Sequence, residues 1–87
     1  RVAQCAVAHE ILRTHARDLP HLALYDENDL ATARSAMDPV SLRRARHVVT
    51  EMARTRAGAA ALRRHDYRAL GGLLSESHRS TAVDYEV

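Results

Sequence analysis

Cys5 and His9 stand four residues apart, the spacing at which two metal ligands share one face of a helix. Zinc needs four ligands, or three and a water. No other pair is spaced to complete the set, so both read as core-facing or boundary residues. Ser75, Glu76, Ser77 and His78 bring nucleophile, acid and base types into one run. Adjacent residues on a helix point in different directions, and neither a third member nor an oxyanion-hole motif accompanies them. The run therefore reads as a helix surface with one His or Ser turned inward. The pairs Arg43-Arg44 and Arg63-Arg64 carry charge that could hold phosphate. No Gly-rich phosphate loop is present, and a charge run on a helix reads as a solvated face. The residues alone assign no catalytic, cofactor-binding or metal-binding position, and they leave substrate contacts open.

The element that must position all of these is the stretch Asp38 to Arg64. Asp38 can cap the free N–H groups of a first helical turn, and Pro39 fits the first helical position. Leu42, Ala45, Val49, Met52 and Ala53 recur at three- and four-residue steps and predict one apolar stripe. Arg43, Arg44, Arg46, Arg54 and Arg56 fall mostly off it. The predicted helix is roughly 25 residues long, at the upper end of the globular range. Arg63 and Arg64 suit the negative end of its dipole. Gly58 within it costs about 1 kcal/mol against alanine, and the small Ala57–Ala61 run leaves room for a second backbone.

The flanking elements follow from their stops. Val2 to Arg17 reads as a helix with Val2, Cys5, Ala6, His9, Leu12 and Ala16 on one face, ended by Leu19-Pro20. His21 to Tyr25 is a short apolar, extended connection. Asp26 caps a short helix that runs to about Ala36, with Glu27 and Asp29 favourable in its first turn. His65-Asp66 breaks the chain again, and Asp66 caps a fourth helix from Tyr67 to about Ser80. Gly71-Gly72 weakens that helix near its start and invites close packing. Ala82 to Val87 alternates apolar and charged residues as a strand would. The fold class is mostly α, with about four helices and a terminal strand stub.

Composition sets the limits. Eighty-seven residues hold at most one small domain. There is no Phe or Trp, and much of the 46% apolar content is alanine, which buries little area at about 25 cal/mol per Å². All 13 basic residues are arginine, a pattern that points to a GC-rich genome rather than to a physical need. Net charge is only +2, with Glu51, Asp66 and Glu76 beside the arginines, which argues against nucleic-acid binding. One cysteine excludes an internal disulfide and suits a reducing, cytoplasmic setting. No apolar run approaches the ~20 residues of a membrane span. The first residue, Arg1, is not methionine, and the strand-like tail stops without a partner. Both suggest a processed chain or a piece of a longer one.

From the long helix onward the sequence resembles the galactokinases. The matches are Arg44-Ala45-Arg46-His47-Val48-Val49-Thr50-Glu51, Ala60-Ala61-Leu62-Arg63, Asp66-Tyr67-Arg68-Ala69, Glu76-Ser77-His78-Arg79-Ser80 and Asp84-Tyr85-Glu86-Val87, in order and at matching spacing. Arg1, Gln4 and Cys5 fit an arginine-and-cysteine helix that the family carries upstream. The family usually shows Thr-Glu-Asn at Thr50-Glu51-Met52 and Gly-Asp at His65-Asp66. Its Ser-Leu-Arg-Asp-Asp-Tyr becomes Ser80-Thr81-Ala82-Val83-Asp84-Tyr85, without the arginine and one acidic residue.

The resemblance implies a sugar kinase of the GHMP superfamily, with an α+β, two-domain parent. Such an enzyme moves the γ-phosphoryl group of Mg-ATP to the C1 hydroxyl of galactose, which requires positioning, a base, and positive charge on the phosphates. The galactose signature, the phosphate loop and the catalytic aspartate are expected upstream of this region. A sugar-contacting tyrosine is expected just before Arg1, and a glycine-rich motif after Val87. Residues 1–87 are then a partial domain leading into the C-terminal region, structural rather than catalytic, with no ATP or magnesium bound by these residues alone. The Glu76–Ser80 segment and Asp84-Tyr85-Glu86-Val87 are the parts expected nearest to function. The rival expectations are a free-standing helical interaction module that self-associates through its apolar faces and, more weakly, an arginine-rich nucleic-acid binder.

Overall fold

Three aspartates start three helices, and the fold is built from what they start. The computed structural model describes residues 2–85. Helix α1 is Val2–His15, α2 is Glu27–Ala33, α3 is Pro39–Arg63 and α4 is Tyr67–Val83. Asp26 accepts from the Asp29 N–H while the Asp29 side chain accepts from the Asp26 N–H, a reciprocal capping box that opens α2. Asp38 accepts from the Ser41 N–H, with Pro39 behind it, and Asp66 accepts from the Ala69 N–H. Single 3₁₀ turns at Leu22–Leu24 and Arg34–Ala36 complete the helical set. There is no strand among the described residues, and none of their helices is long and apolar enough to cross a membrane.

Helix α3 is the spine. Its 25 residues rise about 37 Å at 1.5 Å each, close to the molecule's 40 Å longest extent. Its first half packs against α1, α2 and the Leu22–Leu24 turn, and α4 runs back along α3 after the His65 corner. Ala8 and Leu12 of α1, Tyr25, Leu30 and Ala33 around α2, Met37, and Ala45 and Val49 of α3 form the core. Three of these eight are alanine, so the layer is thin. The connection after α1 is fixed by polar bonds instead. The Tyr25 hydroxyl donates to the Arg17 carbonyl at 2.6 Å and accepts from the Leu19 N–H at 3.1 Å. The Arg17 guanidinium grips both oxygens of the buried Asp29 carboxylate, at 3.0 and 2.7 Å. That contact holds the carboxyl below its ordinary range.

Several sequence expectations change. Helix α1 ends at His15, two residues early, and buries Ala8 while Ala6 faces solvent. The His21–Tyr25 connection is extended at its two ends and turns once between them. The α3 stripe does not continue through Met52 and Ala53, which are exposed. With α1 and α2 left behind, the buried side rotates to Arg54, Gly58 and Ala61, where α4 lies. Arg44 is buried rather than solvated, whereas Arg63 and Arg64 are exposed as expected. A Cβ on Gly58 would meet Leu70 at 3.6 Å, an ordinary contact, and nothing packs within 4 Å of one at Gly71 or Gly72. Helix α4 runs on to Val83, and Asp84 and Tyr85 both return their N–H groups to the Ser80 carbonyl. The strand expected from Ala82 is therefore a helix end over 82–85. Arg1, Glu86 and Val87 lie outside the described residues.

The corner between α3 and α4 closes as a Schellman turn. The Asp66 N–H returns to the Ala61 carbonyl at 2.8 Å and the His65 N–H to the Leu62 carbonyl at 3.1 Å. His65 sits at φ 60°, the left-handed position that glycine fills without strain.

Candidate functional site

The densest polar cluster lies where α1, the first half of α3 and the last turn of α4 meet. Arg44 is at its centre, 5% exposed. Its Nε donates to Gln4 Oε1 at 3.1 Å and its Nη1 to the Asp84 carbonyl at 2.7 Å. The guanidinium carbon lies 5.6 Å from the centre of the Tyr85 ring, which also packs on His47 at 4.9 Å. A cation on the last carbonyls of α4 is well placed against that helix's negative end. A single turn of α3 thus reaches the first turn of α1 and the end of α4.

A second layer sits beside it. Arg46 Nη2 donates to Asp84 Oδ1 at 2.7 Å, and the Ser80 hydroxyl donates to Asp84 Oδ2 at 3.2 Å. A carboxylate can only accept, so the single hydroxyl proton of Ser80 goes to Asp84. His47 Nδ1, 2.9 Å from the same oxygen, must then carry the proton it donates to Ser80. Burial pushes the Asp84 carboxyl up, but the hydrogen bond and charge of Arg46, with Ser80 and His47, outweigh it and leave the group below its ordinary range. One turn further along α3, Glu51 accepts from Ser77 at 2.5 Å and from Arg54 at 3.2 Å. There too burial pushes up, and the two hydrogen bonds with the Arg54 charge bring the net shift down.

The residues singled out for chemistry are placed separately. The Cys5 sulfur is 3.7 Å from the Tyr85 hydroxyl, while His9 Nε2, one turn along α1, is bonded to the Leu19 carbonyl at 2.8 Å. No three His, Cys, Asp or Glu side chains come together as a metal set among the described residues. Of Ser75, Glu76, Ser77 and His78, only Ser77 is turned inward, and its hydroxyl is taken by Glu51. His78 and Arg79 are exposed, while Ser80, Asp84 and Tyr85 belong to the cluster. Sequence reasoning weighed Arg44 only as one of a solvated arginine pair and gave His47 no role, and it missed their place at the centre of this cluster. The signal was present in the three- and four-residue steps that join Ser41, Arg44, Ala45 and Val48 to the buried side, but arginine is read as surface by default.

The arrangement can lock helix ends together, and it leaves no nucleophile and base aimed at a common space. No family model matches the chain. Comparison with curated proteins finds galactokinases from Homo sapiens, Bos taurus and Canis lupus familiaris, 58%, 56% and 52% identical over 59 residues. The aligned part is 68% of this chain and spans 15% of the length of each relative. An identity above half over 59 residues is a family relationship: the chain belongs with the galactokinases, as a fragment of one.

Proposed function

We propose that the chain is a supporting helical segment of a galactokinase-type sugar kinase, leading into that enzyme's C-terminal domain. The whole enzyme would transfer the γ-phosphoryl group of ATP to the C1 hydroxyl of galactose in the cytoplasm. The observation that carries this reading is the 52–58% identity to three galactokinases. The role as scaffold is supported by how the polar side chains are spent. Arg44 binds Gln4 and the end of α4, Ser80 bridges His47 and Asp84, and Ser77 binds Glu51.

On this reading residues 1–87 hold no Mg-ATP, which the pairing of their carboxylates supports. Glu51 and Asp84 are each paired with an arginine, and no third ligand stands with either. Nucleotide and magnesium would be held by other parts of the enzyme, with residues 1–87 a partial domain behind the sites. A free-standing homodimer is the alternative. The exposed Leu62, Tyr67 and Leu74 near the α3–α4 corner would be its contact, and helicity that rises with concentration would be its mark.

The test is a transplant. The chain replaces its counterpart in human galactokinase, and ATP-dependent galactose phosphorylation is measured. The expected result is activity within tenfold of the host, with KM for galactose and ATP near the host's. A folded chimera whose KM for galactose rises more than tenfold would place these residues at the substrate and defeat the scaffold reading.

A further inference from the structure

Between the middle of α3 and the last turns of α4 the surface opens into a cleft of about 330 Å³. Arg46, Thr50 and Arg54 stack at four-residue steps to make its α3 wall, and Glu76 and Arg79 line the opposite wall. The supporting role uses Arg46, Ser80 and Asp84 at one end of this cleft and leaves Glu76 and Arg79 unused. The cleft's charges are unevenly satisfied. Asp84, at one end, already accepts from Arg46 on one oxygen and from Ser80 on the other. Arg54 donates through Nη2 alone, to Thr50 at 3.0 Å and to Glu51 at 3.2 Å, and its buried Nε has no hydrogen-bond partner. Arg79 is exposed and forms no hydrogen bond or ion pair among the described residues. Three guanidinium groups therefore face one opening against a single uncommitted carboxylate, Glu76.

We propose that this cleft binds a phosphate-class dianion, with Arg79 and Arg54 as its principal donors and Arg46 as the neighbouring charge. Planar guanidinium forks match phosphate oxygens in pairs, which a point-like cation does not. The Thr50 hydroxyl gives its proton to the Arg46 carbonyl at 2.6 Å and accepts from Arg54 Nη2 at 3.0 Å, so it positions Arg54 and does not itself donate to the anion. The cleft is open to solvent, so water competes and binding falls in the millimolar range, about 4 kcal/mol. The volume admits either free phosphate or the phosphate end of a monoester. This site is independent of the sugar-kinase reading, because it rests on the cleft geometry alone.

The test titrates the 87-residue chain with inorganic phosphate, and separately with a hexose monophosphate, at fixed ionic strength. Binding is followed by the arginine side-chain Nε–H signals in NMR. Saturable shifts at Arg54 and Arg79 are expected, tighter for the monoester if the sugar also touches the cleft and equal if phosphate alone is read. R79A should weaken binding fivefold or more, and E76Q should strengthen it at least twofold. R56A removes the same charge from an exposed position outside the cleft and should leave affinity within twofold. A second readout is the urea midpoint, which a ligand of the folded state raises by mass action. That rise should shrink in R79A, in line with its weaker affinity, and persist in R56A. Equal effects of R79A and R56A, or no saturable shift up to about 50 mM phosphate (roughly −1.8 kcal/mol or weaker), would overturn the proposal.

Discussion

Replacing Arg44 tests the central claim that one buried cation ties the first turn of α1 and the end of α4 to α3. Arg44→Ala removes charge-assisted hydrogen bonds to Gln4 and to the Asp84 carbonyl, each about 1.5–3 kcal/mol. It also removes the contact with the Tyr85 ring, roughly 0.5–2 kcal/mol. Against this stands the desolvation of a guanidinium that no longer has to be buried, several kcal/mol. Losing the donor to two half-buried neutral acceptors, Gln4 Oε1 and the Asp84 carbonyl, nets about 3 kcal/mol of destabilisation. A chain of this size has about 4–13 kcal/mol in total. The loss is therefore a large fraction, and it should lower the thermal midpoint by roughly 10–20 °C. Arg44→Lys keeps the charge but not the fork, and should lose about half as much. The assay is thermal and urea unfolding followed by helical circular dichroism at fixed protein concentration. A loss below about 1 kcal/mol for Arg44→Ala would show that water satisfies Gln4 and the end of α4, and that the cluster does not hold the helices.

Other perturbations give opposite signs. Gly71→Ala and Gly72→Ala lie in the interior of α4 with open space around them, so each should stabilise by about 0.5–1 kcal/mol, read as a rise in urea midpoint. His65→Gly relieves a side chain from φ 60° at the Schellman corner and should gain about 1 kcal/mol, less whatever the exposed His65–Tyr67 contact contributes. Asp29, Glu51 and Asp84 all have folded-state carboxyl pKa values below their ordinary ones. Their contribution is complete above the ordinary range, near 4 to 4.5, and is lost as pH falls through the folded values. The urea midpoint should be flat from pH 7 to about 5 and fall below that, with a shallower fall in Glu51→Gln. A midpoint that rises on acidification would contradict the signs of these shifts.

The helix starts were legible in the sequence because capping is local chemistry. Asp26, Asp38 with Pro39, and Asp66 each satisfy N–H groups three residues on, and no distant residue takes part. The family relationship was legible for a similar reason, since it is carried by side-chain order and not by shape. What failed were inferences that depend on what covers a face. The stripe through Met52 and Ala53 was drawn as if one neighbour ran the length of α3, but α1 and α2 end and α4 takes over at a different angle around the helix. The strand reading of Ala82 to Val87 rests on six alternating residues, too few to separate a strand from a helix end. Arg44 holding the Asp84 carbonyl, and Ser80 receiving the N–H groups of Asp84 and Tyr85, finish that segment as helix. Arg44 itself was read as solvent-facing from its charge, and only the arrival of Gln4 and Asp84, each 40 residues away along the chain, makes its burial affordable. The sequence by itself determined where α2, α3 and α4 begin, because their caps lie within one turn. The tertiary structure alone decided which side of α3 is inside and which charges are paired, because burial and partnership are set by residues that the chain brings back from far away.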